Sequence, residues 1–441
     1  MERVLHGSYL APTLSTALDA SGLAGHDRSF VTELSYGAMR RLSQLDHALA
    51  PLLKAPDKLP PRVRGALRLG AYEILFRETP PYAAVSAWVA QVKRETPRLA
   101  GLINAVLRRV RKPTEAPPCV QLNLPDWLLS EFERALGRER AVEAAEGMLE
   151  PEPLWLTLFG PEAEELLQRD GARVEPLAPG VGFPASYRVR AALPLAQLAA
   201  YRLGQAQPQN PSSLQAAVAL GVGAGDRVLD LAAGRGVKTA VFAALGAEVT
   251  ALELSADRSA AARENLSRLG FEAEHLVADL TDPPDLEPAP FVMLDAPCSG
   301  TGTLRGNPEI KLRLTQESLA ELAALQRRMI LRASELVAPG GVLLYAVCAL
   351  TEVEGPGVAR YLLERRPEFS LEPPETAEDL LPPATAEGPA ADTVEGPRVG
   401  ATDGATEGPA NGGAKGAAQP GGYILPLHGR DGFYLARFRR S

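Results

Sequence analysis

The sequence predicts an all-helical domain followed by an α/β domain built on a parallel sheet, and three observations carry that prediction. Through the first 112 residues, apolar side chains recur at intervals of three and four. From about residue 211 the pattern changes to near-continuous apolar runs separated by amphipathic stretches. The first of those runs is followed by a short turn with two glycines, "LAAGRGVKT" (Leu231 to Thr239). Continuous apolarity means that both faces of a strand are covered, as parallel strands between helix layers require.

The elements follow in order. Helical periodicity marks Phe30 to Leu49, Val63 to Phe76 and Ala83 to Glu95, with Pro60-Pro61 and Pro80-Pro81 at helix boundaries. A basic helix end, Ile103 to Lys112, precedes the proline-rich break Pro113 to Pro118, and a first domain over 1–124 is expected. Pro125 to Leu149 reads as further helix, and "PLWLTLF" and "YRVR" read as short strands, in a connector over 125–210. Strands are predicted at Asp226 to Ala233, Ala247 to Leu254, Ala273 to Asp279, Pro290 to Pro297 and Gly340 to Val347, with helices at Ser255 to Gly270 and Thr315 to Ala338. These make an α/β core over 211–369. Residues 370–422 are rich in Pro, Gly, Ala, Thr and Glu, a composition expected to stay disordered. The chain recovers over 423–441, where Asp431 to Arg440 predicts a late strand returning to the sheet.

Composition narrows the function classes. A length of 441 residues implies two or three domains, and 46% apolar residues suffice for their cores. No run of 18 apolar residues occurs, so no membrane span is expected. Met1 to Leu10 lacks the basic start and apolar stretch of a secretory signal. Three cysteines without a CxxC pair give neither a disulfide framework nor a metal site, and free thiols fit the cytoplasm. The net charge of −8 conceals an asymmetry. Met1 to Pro125 holds 17 Lys/Arg against 10 Asp/Glu, whereas Ser370 to Gly422 holds 2 against 9. A basic helix end alone is more simply a solvated face, but a basic domain is also what a nucleic-acid partner needs.

Ligands of an open α/β sheet lie beyond the carboxyl ends of its strands. The first strand ends at Asp230, and Gly234 and Gly236 allow a tight turn and close backbone approach. Glu253 closes the second strand, where a carboxylate can grip both hydroxyls of a ribose, and Asp279 closes the third, where it can accept from an adenine amino group. The turn lacks GxGxxG, and the chain lacks a Walker lysine motif, which disfavours dinucleotides and triphosphates. Cys298 follows the fourth strand and Cys348 the fifth. In the usual strand order these are neighbours, so both thiols should face one pocket beside Asp295. Spacing alone does not say which thiol attacks. Cys119 lies in the linker and receives no role.

"DLAAGRGVKT", "DAPCSGTG", "RGNPEIK" (Arg305 to Lys311) and "LQRRMILRASELVAPGGVLLYAVC" (Leu325 to Cys348) resemble the RNA 5-methylcytosine methyltransferases. "LPPRVRGALRLGAYEIL" and "GLINAVLRRV" resemble a NusB-like RNA-binding domain. That pairing resembles the RsmB (Sun/Fmu) family, which methylates a cytosine of 16S ribosomal RNA. The resemblance implies a NusB-like domain before a Rossmann-type methyltransferase domain, S-adenosylmethionine as cofactor, no metal, ribosomal RNA (free or partly assembled) as partner, and a monomer. It makes Cys348 the nucleophile that adds to carbon 6 of the base. Asp295 would hydrogen-bond the ring, Cys298 would assist loss of the carbon 5 proton and release, and Lys238 would hold cofactor or base. The cofactor set is then Ala232, Ala233, Gly234, Arg235, Gly236, Val237, Lys238, Glu253, Arg258, Asp279 and Asp295. The sequence departs from the family pattern at Arg235 and Val237 in the first turn, at Val347 before the second cysteine, and in "EVEG" (Glu352 to Gly355), which keeps one acid at Glu354. Two alternatives stand beside this reading: an RNA-binding assembly factor without activity, which would not bind S-adenosylmethionine, and an enzyme acting on tRNA.

Overall fold

The computed structural model describes residues 1–77, 79–177, 184–282, 285–373 and 420–441. The acidic stretch over 374–419 lies outside them, so the disorder expected there is untouched.

The first 107 residues form helices packed around Leu45, Leu67, Ile103 and Leu107. Phe30 to Leu49 is two helices, not one: Gly25–Arg40 and Leu42–Leu49, separated at Arg41, whose φ of −117° and ψ of 21° leave the helical region. The helix at Ala100–Leu107 stops before its basic end, so Arg108, Arg109, Arg111 and Lys112 follow it in non-helical chain.

Residues 154–208 form a small antiparallel sheet of β1 (Leu154–Leu158), β2 (Arg173–Pro176), β3 (Ala185–Arg190) and β4 (Ala206–Pro208), in the order β2-β3-β1-β4. Sequence reading found only β1 and β3, because β2 and β4 are four and three residues long. The sheet docks on the large domain: Trp155 Nε1 donates to the Gly429 carbonyl (2.8 Å), and Gln207 Nε2 donates to the Val237 carbonyl (3.0 Å).

The large sheet contains β5 (Arg227–Leu231), β6 (Glu248–Glu253), β7 (Glu274–Val277), β8 (Ala289–Asp295), β9 (Val337–Val347), β10 (Phe369–Glu372), β11 (Gly422–Ile424) and β12 (Phe433–Arg440). Its order is β10-β12-β9-β8-β5-β6-β7, with β11 on β12. The strands from β9 to β7 run parallel, and β12 returns antiparallel to β9 as expected. β10 occupies Phe369–Glu372, so the first residues assigned to the acidic loop are strand instead. The helices Asp126–Leu136 and Arg138–Gly147, grouped by sequence with the connector, bury Leu128, Phe132 and Ala141 in one core with β8 and β9. Amphipathicity shows that a helix has a buried face, not which sheet it covers. Among the described residues no helix is long and apolar enough to cross a membrane.

The stretch "RGNPEIK" forms the seam with the helical domain. Glu309 Oε1 accepts from the Leu10 amide (2.9 Å), and Arg40 Nη1 donates to the Arg305 carbonyl (3.2 Å). Lys311 is buried there with one bond, to the Arg40 carbonyl at 3.4 Å. Burial, then the Arg40 charge, pull its pKa down to about 7. The unfolded chain therefore binds more protons than the folded one between about pH 7 and the ordinary lysine value near 10.4. Stability contributed by this site should rise with pH across that window, by up to about 1.4 kcal/mol per unit, and be absent below it. Lys311→Met should flatten the rise in urea midpoint between pH 7.5 and 9; an unchanged rise would place its cause elsewhere.

Candidate active site

The order β8-β5-β6 puts the switch point of the sheet between β5 and β8, where a crevice opens at the carboxyl ends. On one side lies the turn after β5. Ala232, Gly234 and Gly236 there all adopt left-handed conformations, with φ of 65°, 61° and 73°. Gly236 begins the helix Val237–Ala244, and a Cβ there would stand 2.9 Å from both Ala262 Cβ and Leu266 Cδ1. Around Gly234 nothing lies within 4 Å of where a Cβ would be, so this turn has open space over it. Arg235 in this turn is exposed and Val237 is half-buried.

Glu253 ends β6 nearly buried. Gly234 N donates to its Oε2 (2.9 Å), and Ser255 N (2.8 Å) and Arg258 Nη2 (2.7 Å) reach its Oε1. The carboxylate is thus aimed at the turn, with one oxygen already doubly engaged; a two-hydroxyl grip on a ribose requires the half-exposed Arg258 to swing off. Leu254 beside it is 63% exposed, an apolar surface open at the crevice edge where an aromatic ring can rest. Asp279 lies two residues beyond the end of β7, exposed, and accepts from Thr281 N and Oγ1, both at 2.8 Å. Those bonds hold its carboxyl below the usual range. Asp230 is buried under the turn and accepts from Thr239 Oγ1 at 2.6 Å, while its second oxygen has no partner. Burial outweighs the Thr239 bond and pushes its pKa up to about 6.

On the other side of the crevice four predicted residues converge. Lys238 Nζ donates to Asp295 Oδ2 at 2.6 Å and lies 5.5 Å from the centre of the Phe433 ring. Burial pulls the Lys238 ammonium down, but Asp295 and, more weakly, Cys348 outweigh it and leave its pKa raised. Cys298 Sγ and Cys348 Sγ are 3.3 Å apart. The Cys348 contact and burial push the Cys298 thiol well above its ordinary value. Cys119 stays apart, with a free thiol.

The loops that present the thiols are tied to each other. Ala296 N donates to the Ala346 carbonyl (3.0 Å), Gly302 N to the Cys348 carbonyl (2.9 Å), and Gly432 N to the Gly302 carbonyl (2.8 Å). Beneath them Glu354, 0% exposed, accepts from Ser299 N (2.7 Å) and Gln326 Nε2 (3.0 Å) on one oxygen. Its other oxygen accepts from Ser299 Oγ (2.6 Å) and Thr351 Oγ1 (2.8 Å). Sequence reading missed Ser299, Gln326, Thr351 and Phe433. The available signal was polar residues placed directly beside two cysteine strand ends, and a glutamine on the apolar stripe of the helix Gln316–Glu335.

Comparison with known proteins agrees with this architecture. The family model for the 16S rRNA methyltransferase RsmB/F matches residues 217–439, and the NusB family model matches 2–112. The ribosomal RNA small subunit methyltransferase B of Thermus thermophilus is 42% identical over 97% of this chain and 92% of its own length. The protein of the same name from Salmonella paratyphi B is 30% identical over 79% and 85%. Among solved structures, PH0851 superposes with a TM-score of 0.73 at 22% identity over 97% of this chain and 93% of its own. A methyltransferase homologue from Pyrococcus horikoshii gives 0.57 at 22% over 74% and 98%. A Rossmann-type methyltransferase domain behind a NusB domain, with identity sustained over nearly the whole length, means that this chain belongs to the RsmB/F family of 16S rRNA methyltransferases.

Proposed function

We propose that the chain transfers a methyl group from S-adenosylmethionine to carbon 5 of one cytosine in 16S ribosomal RNA, through a covalent bond between Cys348 and carbon 6 of the base. The observation that supports this best is the pair of thiols 3.3 Å apart beside the Lys238–Asp295 ion pair. Carbon 5 of cytosine is a poor nucleophile until a thiolate adds to carbon 6 and sends electron density to it. Chemistry of this kind needs one thiolate to attack, a hydrogen-bonding acid pair at the ring edge, and a second group to manage protons. Cys348, Lys238–Asp295 and Cys298 fit those parts. A paired base hides the face that the thiol attacks, so the target is a loop nucleotide or one turned out of its helix.

The residues of the first turn fit the cofactor. The open space above Gly234, the carboxylate of Glu253 and the exposed Leu254 can receive a nucleoside, with Asp279 as an ionised acceptor farther along the edge. When bound, S-adenosylmethionine supplies an electrophilic methyl group. The chain's own part is to hold Lys238, Asp295 and both thiols so that the base is activated where that methyl can be reached. Asp295 accepts from Lys238 and can accept from the exocyclic amino group of the base, while the Lys238 ammonium is the group able to donate toward the negative charge that develops on the ring. The open space over Gly234 and the Glu253 carboxylate aimed at the turn argue for activity over a factor that has lost its cofactor, despite Arg235 and Val237. The basic helical domain is the part proposed to hold RNA phosphates.

The test is to incubate the chain with S-adenosylmethionine and 16S ribosomal RNA, with tRNA in parallel, and to map methylated cytosines. One carbon 5 methylation in 16S ribosomal RNA is expected; methylation confined to tRNA, or none with cofactor bound, would overturn the proposal. For the cofactor, Glu253→Ala should weaken S-adenosylmethionine binding by roughly 1–3 kcal/mol, the scale of a stranded buried hydrogen-bonding group. Unchanged affinity by calorimetry in a folded variant would remove Glu253 from the site.

A further inference from the structure

We infer that Glu354 is a positioning residue that holds the Cys298 loop against the end of β9, and so governs release of the methylated base more than attack on it. The inference rests on the function proposed above. Cys348 directly follows β9 and has its carbonyl held by the bond from Gly302 N. Cys298 lies beyond the end of β8, in a loop without regular structure. Besides the backbone ties at Ala296 and Gly302, the residue after Cys298 is held by Glu354: both the amide and the hydroxyl of Ser299 donate to it.

The carboxylate also binds the loop to the other thiol's strand. Thr351, three residues after Cys348, donates to Oε2, and Tyr345 on β9 donates to the Glu354 backbone carbonyl at 2.6 Å. Gln326 closes the ring by donating both to Oε1 and to the Pro297 carbonyl (2.9 Å), immediately before Cys298. Four neutral donors satisfy this buried carboxyl group. Burying a carboxylate without a counter-charge is costly unless every donor is in place, so the arrangement specifies one geometry for the two loops. Glu354 does not touch the thiols, and acts through Ser299.

In the proposed reaction, release requires a base to take the proton from carbon 5 while the electron pair of that C–H bond forms the double bond to carbon 6 and the carbon 6–Cys348 sulfur bond breaks, its pair returning to sulfur. Cys298, as its thiolate, is the group placed to take that proton. Misplacing it by about 1 Å costs on the order of 100-fold in rate, while attack by Cys348 continues.

The experiment compares Glu354→Ala, Glu354→Gln and Cys298→Ala with the wild type, using 16S ribosomal RNA and S-adenosylmethionine. Glu354→Ala should lower kcat roughly 100-fold, leave the Kd for S-adenosylmethionine within about twofold, and accumulate a protein–RNA complex that survives denaturing electrophoresis. Glu354→Gln keeps an acceptor toward Ser299 N and Gln326, and the two hydroxyls can turn to accept from its amide. It should recover most of the turnover and little of the complex should remain. If Glu354→Ala does not fold, Ser299→Ala, which removes the hydroxyl bonds to Glu354 and Thr301 but keeps the amide bond to Glu354, should show the same trapped complex in weaker form. A folded Glu354→Ala with wild-type turnover, or with attack and release lost together, would overturn the inference. Absence of the complex from Cys298→Ala itself would overturn the covalent reading on which it rests; its presence there and absence from the Glu354 and Ser299 variants would overturn this inference alone.

Discussion

Cys348→Ala should lose methyl transfer by at least about 10⁴-fold, the scale for removing a nucleophile that works with its partners as a unit, and should form no covalent complex with RNA. Cys298→Ala should turn over slowly too, yet leave RNA attached to the protein through Cys348. Two features argue for this division. The Cys298 thiol is pushed well above its ordinary pKa by Cys348 and by burial, so its thiolate, once formed, is a strong base, as suits a group that takes the carbon 5 proton. Cys348 directly follows β9, a strand paired on both sides, and has its carbonyl held by Gly302. Denaturing electrophoresis after mixing each variant with RNA and S-adenosylmethionine reads the result. A complex in Cys348→Ala and none in Cys298→Ala would reverse the assignment and make Cys298 the nucleophile.

The parts of this site visible in the sequence share one property: each sits at the end of a strand. An apolar run that stops at Glu253, Asp295 or Val347 marks a carboxyl edge, and the usual order of such a sheet brings the edges of β8 and β9 together. The meeting of Cys298 and Cys348 follows from that alone. Glu354 and Gln326 could not be read the same way. They come from a loop and a helix on either side of β9 and join Ser299 only because three elements stack, and buried polar networks leave no periodic trace. The seam was illegible for a related reason. "RGNPEIK" has the look of a site motif, but Glu309 spends an oxygen on the Leu10 amide, 299 residues away in sequence, and Lys311 is sealed against Arg40. The break at Arg41 leaves no trace in the sequence because apolar spacing continues through it; the second helix only has to be rotated for Leu45 and Leu49 to reach the core.

Gly302→Ala should be the most damaging single methyl addition in the site. Gly302 has no left-handed backbone to protect, so the penalty is one of space. Its amide donates to the Cys348 carbonyl, its own carbonyl accepts from Gly432 N, and the added Cβ would fall 2.0 Å from the Gly432 carbonyl oxygen and 3.0 Å from that of Cys348. Both obstacles are backbone and cannot rotate away. Overpacking of this kind costs typically about 1–3 kcal/mol in a core that can adjust; here adjustment means separating the Gly302 and Gly432 segments and pulling on Cys348. Turnover should therefore fall on the order of 100-fold, as for a reacting group displaced by about 1 Å, even at temperatures where the variant is fully folded. Gly234→Ala is the matched comparison. It places a methyl where nothing lies within 4 Å, and it costs only the left-handed conformation at φ 61°, about 1–2 kcal/mol. Its effect should appear in S-adenosylmethionine affinity with the covalent step intact, whereas Gly302→Ala should bind the cofactor normally and fail to form the RNA complex. Equal turnover in wild type and Gly302→Ala would mean that the Cys348 carbonyl can shift without carrying the thiol with it, and that the tie from Gly302 does not set the nucleophile.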